Sequence, residues 1–335
     1  VFSINPDFAV YRVFFEFVGD GNGDYILENY NALGKVFKWI APENNIAQGN
    51  YRAARSIITP KKQQMFSSGL KWKYSKSSYV ESEWAISNTD LNTYSDLSKS
   101  DNIGYSNRTR WMNTSTFGKV DTLTLWSLQT KAEIEYLSSS FRPVQQYRAV
   151  EFDRDWNTRF KGYQGHQVLG ILGTKLLHKK RGSISLDAQH FSVGSDYSGQ
   201  RAYSKGNWKQ KGWDAQWDAS YLQANSEAKS SFLRHRLNLS KKLGPLRIGY
   251  KDDHERNRYK DSIFSISDQS YEFFDYQFYL ANQDTSKIEY KLYYRERYDR
   301  RLDSESFKRT AIAKTTGAEL QINSLKNQKL TFLSG

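Results

Sequence analysis

Trp213-Asp214-Ala215-Gln216-Trp217-Asp218-Ala219-Ser220-Tyr221 alternates without a break: odd positions are aromatic or Ala, even positions polar. A strand sends successive side chains to opposite faces, so this stretch has one apolar and one polar side. Helical spacing would bring Trp213 and Trp217 together but would add Asp214 beside them, so the helix reading loses. The same period runs elsewhere. Ile288, Tyr290, Leu292 and Tyr294 alternate with Glu289, Lys291, Tyr293 and Arg295, and Leu246, Ile248 and Tyr250 with Arg247, Gly249 and Lys251. Leu70, Trp72 and Tyr74 oppose Lys71 and Lys73; Ile184, Leu186 and Ala188 face away from Ser185, Asp187 and Gln189. Several runs reach the roughly 9–11 residues that a tilted strand needs to cross hydrocarbon.

Composition narrows the class. Hydrophobic residues are 38% of 335 and mean hydropathy is −0.77. No run approaches the roughly 18 apolar residues of a spanning helix; the most apolar stretch, Val168 to Leu177, holds Gly170, Gly173 and Lys175. Aromatic content of 15% argues against disorder. A polar chain rich in Tyr and Trp suits a wall one residue thick, with one face in lipid and the other in water. With no Cys there is neither a disulfide framework nor a thiolate metal site. The chain starts at Val1 with no signal-peptide pattern, and reads as a mature form or a fragment.

The expected fold is therefore all-β: an antiparallel up-and-down transmembrane barrel of about a dozen or more strands over residues 62–335, preceded by a small extramembrane β-rich segment, 1–61. Trp213, Trp217, Tyr221, Tyr290 and Tyr294 are expected on the lipid-facing side or in its aromatic girdles. Connections support a meander. Lys242–Pro245, Asn282–Thr285 and Ser324–Asn327 read as short, whereas Ser87–Asp101, Asp252–Ser270 and Asp299–Ser304 read as long. A soluble sandwich or barrel shares the alternation and stands as the alternative. In the N-terminal segment, strands are expected at Ala9–Phe17 and Gly34–Ile40, with a turn at Gly19–Gly23.

Asp20-Gly21-Asn22-Gly23-Asp24 offers oxygen ligands at alternate positions, like the start of a calcium loop. Tyr25 then stands where that loop needs Gly, and Asn31 where it needs a bidentate Glu, so a Gly-rich hairpin turn is the stronger reading and calcium the weaker. No other cofactor is implied. Glu151-Phe152-Asp153-Arg154-Asp155-Trp156-Asn157 is the densest charged–aromatic cluster. Arg154 is expected to satisfy the adjacent carboxylates and Trp156 to anchor at the membrane interface. His166, His178, His190, His235 and His254 show no metal-ligand spacing, and nothing identifies an enzyme. A barrel hydrolase would need a Ser or Asp beside His166 or His254.

Lys and Arg number 49 against 36 acids, and the pI is near 9.5. Interleaved cations and aromatics admit a polyanion binder, for glycan or nucleic acid, as a second class. Yet the cations fall on the polar strand face: Arg234, Arg236, Arg247, Lys251, Lys291, Arg295 and Arg297 share it by the period of two. In a barrel that face is the lumen, which is expected to carry a net-positive hydrated band. Nucleic acid is not the expected partner.

The Gly21–Tyr25 turn and the Arg148–Asn157 stretch, ending Glu-Phe-Asp-Arg-Asp-Trp-Asn, together with the long polar–aromatic strands, resemble large outer-membrane β-barrel proteins of Bacteroidota. The resemblance is one of style over most of the chain. It implies an outer-membrane location, contact with lipid and lipopolysaccharide, and partnership with other envelope proteins or lipoproteins, for transport, secretion or envelope assembly. It transfers no functional residue. The ending Leu330-Thr331-Phe332-Leu333-Ser334-Gly335 departs from the usual terminal aromatic, so the barrel is expected to continue further or to close by other means.

Overall fold

Period-two sequence folds here as antiparallel sheet, and among the described residues no α-helix exceeds one turn. The computed structural model describes residues 5, 7, 13–31, 34–55, 59–97, 99–120, 123–159, 161–260, 269–282, 288–303 and 306–322. The chain divides into two units: Val1–Lys62 with Leu91–Asp96, and Gln63–Asp90 with Leu97–Gly335.

The first unit holds β1 (Glu16–Phe17), β2 (Tyr25–Asn31), β3 (Gly34–Trp39) and β4 (Tyr51–Arg52) in the order β1-β4-β2-β3. Phe15, Tyr25, Phe37 and Tyr51 form its aromatic centre, with ring centroids 4.3–4.8 Å apart. Gly23 and Gly49 exchange backbone hydrogen bonds of 2.9 and 2.8 Å. A Cβ on Gly23 would lie 2.3 Å from the Tyr51 carbonyl oxygen, so only glycine fits. Of the strand expected at Ala9–Phe17, residues 8–12 lie outside the described residues and only Glu16–Phe17 is strand. Short β2 and β4 strands, not foreseen, complete the sheet.

The second sheet is a thirteen-stranded meander. Its strands are β5 (Lys62–Ser75), β6 (Ser78–Asp90), β7 (Ile103–Val120), β8 (Leu123–Leu137), β9 (Gln167–His178), β10 (Gly182–Val193), β11 (Tyr197–Gln210), β12 (Trp213–Asn225), β13 (Lys229–Leu243), β14 (Leu246–Lys260), β15 (Tyr271–Asn282), β16 (Ile288–Asp303) and β17 (Ser306–Ile322). Each is hydrogen-bonded to its sequence neighbours. Closure of this sheet on itself, expected from the sequence, is not seen among the described residues: β5 and β17 are its two edges.

Connections on one side are tight, at 76–77, 179–181, 211–212 and 244–245. On the other side, 91–102, 138–166 and 261–270 are long. The expected alternation of short and long fails in part. β14 runs to Lys260 and β16 to Asp303, so charged stretches that read as loop are strand, and 194–196 and 226–228 are also short. Charge did not end these strands because a polar face tolerates it. Ser324–Asn327 lies outside the described residues.

Register fixes the faces. Arg234 stands opposite Ser220 and Glu255, Arg236 opposite Asp218 and Asp253, and Arg295 opposite Gln277. All seven cations named above fall on one side, and Trp213, Trp217, Tyr221, Tyr290 and Tyr294 on the other. That apolar side is the exposed one: Trp72, Leu172, Leu186, Trp213, Phe278 and Leu292 have no protein layer over them. Its upper limit, toward the long connections, is slanted. Tyr136 on β8 shares a cross-strand row with Asn225 on β12, yet the last outward aromatic of β12 is Tyr221. The Tyr221 row in turn reaches Arg300 on β16, where the last outward aromatic is Tyr298, in one row with Phe274 and Ile312. The boundary thus falls about six residues, ~20 Å, over a lateral distance of ~38 Å, a slope of ~30° to the row direction.

Candidate functional site: a chain segment clamped on the polar face

The 138–166 connection is where the polar face acquires a tertiary partner. It begins with Phe141, whose backbone passes so near Gly104 that a Cβ there would meet it at 2.2 Å. Arg142 N–H donates to Ser87 Oγ at 3.0 Å. Arg148 stacks its guanidinium 4.2 Å from the Phe152 ring centroid and donates to Gln167 Oε1 at 2.6 Å and to Glu135. One helical turn follows, α1 (Phe152–Asp155). It stops at Asn157, whose φ of 55° is a left-handed conformation that Asn tolerates better than most residues.

This turn carries charges of both signs into the face of β10–β14. Arg154 Nη2 donates to both oxygens of Glu255, at 2.8 and 2.6 Å, while Nη1 holds Glu151 at 3.0 Å. Asp155 accepts from Arg201 at 3.1 Å and from Arg234. Arg234 Nε also lies 3.3 Å from Glu255, so two guanidiniums neutralise a carboxylate that is 1% exposed. Asn157 and Asn257 exchange side-chain hydrogen bonds of 3.1 and 2.9 Å. Trp156 is 1% exposed against Phe191, Tyr197, Leu222 and Phe232. Tyr197 O–H donates to the Trp156 carbonyl, and at Gly199 a Cβ would press within 3.2 Å of the indole, so the absent side chain makes room for Trp156.

The expectation for Trp156 is therefore corrected: it is a core residue of the clamp, not an interfacial anchor. Arg154 does satisfy a neighbouring carboxylate, Glu151, but its larger partner is Glu255, 101 residues away. Hydrogen bonding from Arg154 holds the Glu151 carboxyl below the ordinary carboxylate range. Burial pushes the Tyr147 hydroxyl, which donates to Glu135 at 3.3 Å, well above its usual value. Between turn and wall lies a cavity of about 270 Å³, edged by Glu151, Asp155, Arg201, Arg234, Arg236 and Asp253.

Of the seven cations of the band expected to be net positive, five stand in ion pairs, Arg234 among them with Glu255. Arg236 pairs with Asp253 at 3.0 Å, Lys291 with Glu319 at 3.1 Å, Arg297 with Asp299 at 3.2 Å, and Arg295 with Asp275. Lys251 lies 5.5 Å from the Tyr279 ring centroid, and Arg247 also has a partner. The pattern continues to β5, through Lys131–Asp187, Arg110–Glu133 and Lys71–Glu81. Cross-strand neighbours settle as opposite charges because like charges directly opposite are destabilising.

Asp20, Asn22 and Asp24 are not brought into a cage. Asn22 turns its amide Nδ2 toward the Asp20 carbonyl oxygen at 3.4 Å, and the segment is a turn on Gly19 and Gly21, both at positive φ. No group of three His, Cys, Asp or Glu able to hold a metal occurs among the described residues. Two histidines do find partners that sequence spacing concealed. On the apolar face, Asp252, His235, His254 and Glu272 form a hydrogen-bonded chain with steps of 2.9, 3.1 and 3.1 Å. His166 meets Tyr136 O–H at 3.0 Å. Among the described residues no serine hydroxyl joins either group. Comparison of the chain with protein-family models, with curated proteins and with solved structures found no match.

Proposed function

We propose that the thirteen-strand sheet is wall of a β-barrel in a bacterial outer membrane, with the ion-pair face lining the lumen and the Arg148–Asn157 segment held inside as a fixed constriction. The protein then acts as a narrow channel, or as a structural subunit of an outer-membrane transport, secretion or assembly complex. The carrying observation is the exposed apolar face with its slanted edge. Large aromatics left without protein cover over a whole sheet face are not the habit of a soluble monomer. Strands of outer-membrane barrels tilt by ~35–45°, so a level lipid–water boundary draws a line of about that slope across the strands. The ~30° line through Tyr136, Tyr221 and Tyr298 slants in that way and approaches this slope. Along β8, the outward run from Trp126 to Tyr136 spans ~33 Å, or ~25 Å in height after tilt, the height of such an apolar band.

A polyanion-binding reading is weaker, because Arg234, Arg236, Lys291, Arg295 and Arg297 of the polar face are already met by carboxylates. Detergent phase partition tests the proposal. The expected result is recovery in the detergent phase, with gel mobility that changes on boiling as a closed barrel melts. A monodisperse monomer in detergent-free buffer overturns it. In planar bilayers, small single-channel steps that grow when the constriction is released support the channel over the purely structural role.

A further inference from the structure

On the apolar side, at the slanted aromatic boundary, the outward face turns from apolar residues to a cluster of cations. Arg256 and Arg258 converge on one ring: their Cζ atoms lie 5.7 and 5.4 Å from the Phe307 centroid. Arg300 and Arg309 flank it, 4.8 and 5.1 Å from the Tyr298 centroid. Among the described residues, the carboxylate on these outward rows is Glu272, and its oxygens are engaged by His254 at 3.1 Å and Arg300 at 3.4 Å. The Nε atoms of Arg256 and Arg258 are buried without a hydrogen-bond partner. Two guanidiniums drawn to one point without an anion repel each other, and buried donors left unmade are costly.

We infer that this ledge binds the phosphate groups of an anionic lipid headgroup, in the outer leaflet that of lipopolysaccharide; the inference rests on the barrel reading above. Guanidinium forks match phosphate oxygens in pairs. Position gives the second reason. Arg256 shares the row of Tyr221, Arg258 lies one outward step beyond, and Arg300 is one outward step past Tyr298. They therefore stand at the aromatic edge or within ~10 Å beyond it, at the level of the headgroups. On the opposite face, which lines the lumen in this reading, Arg236 and Arg295 cannot reach lipid and are paired with Asp253 and Asp275.

The test uses the full chain inserted in phosphatidylcholine nanodiscs and probed by native mass spectrometry with diphosphorylated and dephosphorylated lipid A. Diphosphorylated lipid A should be retained at least about tenfold more strongly. Arg256→Gln with Arg258→Gln should abolish the preference, while Arg236→Gln, on the other face, should leave it. Boiling-dependent gel mobility confirms that each variant is folded. Insertion with equal retention of both lipids overturns the ledge alone. Displacement of lipid A by inorganic phosphate would make this a free-phosphate site and also overturns it. Failure to insert at all overturns the barrel reading, and the ledge with it.

Discussion

Arg154 and Asp155 are adjacent in sequence and opposite in charge, and each answers a residue of the opposite sign on the sheet. Removing either exposes the imbalance. Arg154→Ala leaves Glu255 with Arg234 alone, and Asp155→Asn leaves Arg201 and Arg234 facing each other; loss of one partner from a buried pair costs ~3–5 kcal/mol, less where a second partner remains. Trp156→Ala deletes the indole at the centre of the clamp, with an expected loss of ~3–5 kcal/mol in the segment's docking. Limited proteolysis of 138–166 in the folded protein reads both: cleavage should accelerate in each variant while strand protection persists, and unchanged cleavage would refute the clamp. Acid should act in the same direction. The Glu151 carboxyl is held below its ordinary value by Arg154, so its contribution is full above the unfolded carboxylate range and is lost as pH falls through the lowered value. Glu151→Gln should flatten that part of the pH dependence of cleavage.

At the scale of elements, the 138–166 connection and the charge ladder of β13–β17 make separate demands. Replacing residues 148–157 by a short Gly-Ser linker should leave boiling-dependent mobility intact and enlarge single-channel conductance. Unchanged conductance would place the narrowest point elsewhere. On the ladder, reversing Arg295 to Asp sets two carboxylates against each other at Asp275, so charge reversal there is not a neutral change of lumen charge. Arg295→Asp should destabilise, and adding Asp275→Arg should recover most of the loss. A double-mutant cycle with no coupling, against the ~0.2–1 kcal/mol usual for cross-strand and exposed pairs, would show that water screens the pair.

For the whole molecule, parity sets a constraint. With thirteen antiparallel strands the edges β5 and β17 run in the same direction and cannot pair antiparallel, and a second copy inserted the same way offers only parallel edges. Antiparallel closure takes an odd number of further strands, and a bilayer tolerates no open edge. Hydrogen exchange in vesicles should therefore show the outer amides of β5 and β17 protected; rapid exchange at both would refute closure. Sequence alone determined that the chain is antiparallel sheet and which face the residues of its quoted alternating runs take, because a period of two is a local property of the backbone; it missed the strand over 252–260, where charge on both faces hid the alternation. Sequence could not assign Glu255 to Arg154, seat Trp156 beside Phe191 and Phe232, join His235 to His254, or gather Arg256 and Arg258 at Phe307. Those contacts cross from one strand to another or join the 138–166 segment to the sheet, and they depend on register and on where a long connection folds back. Alternation specifies which side a residue faces but not which residue it meets. The tertiary structure alone decided that cations stand in ion pairs along one face and that Arg256 and Arg258 converge on a single ring on the other.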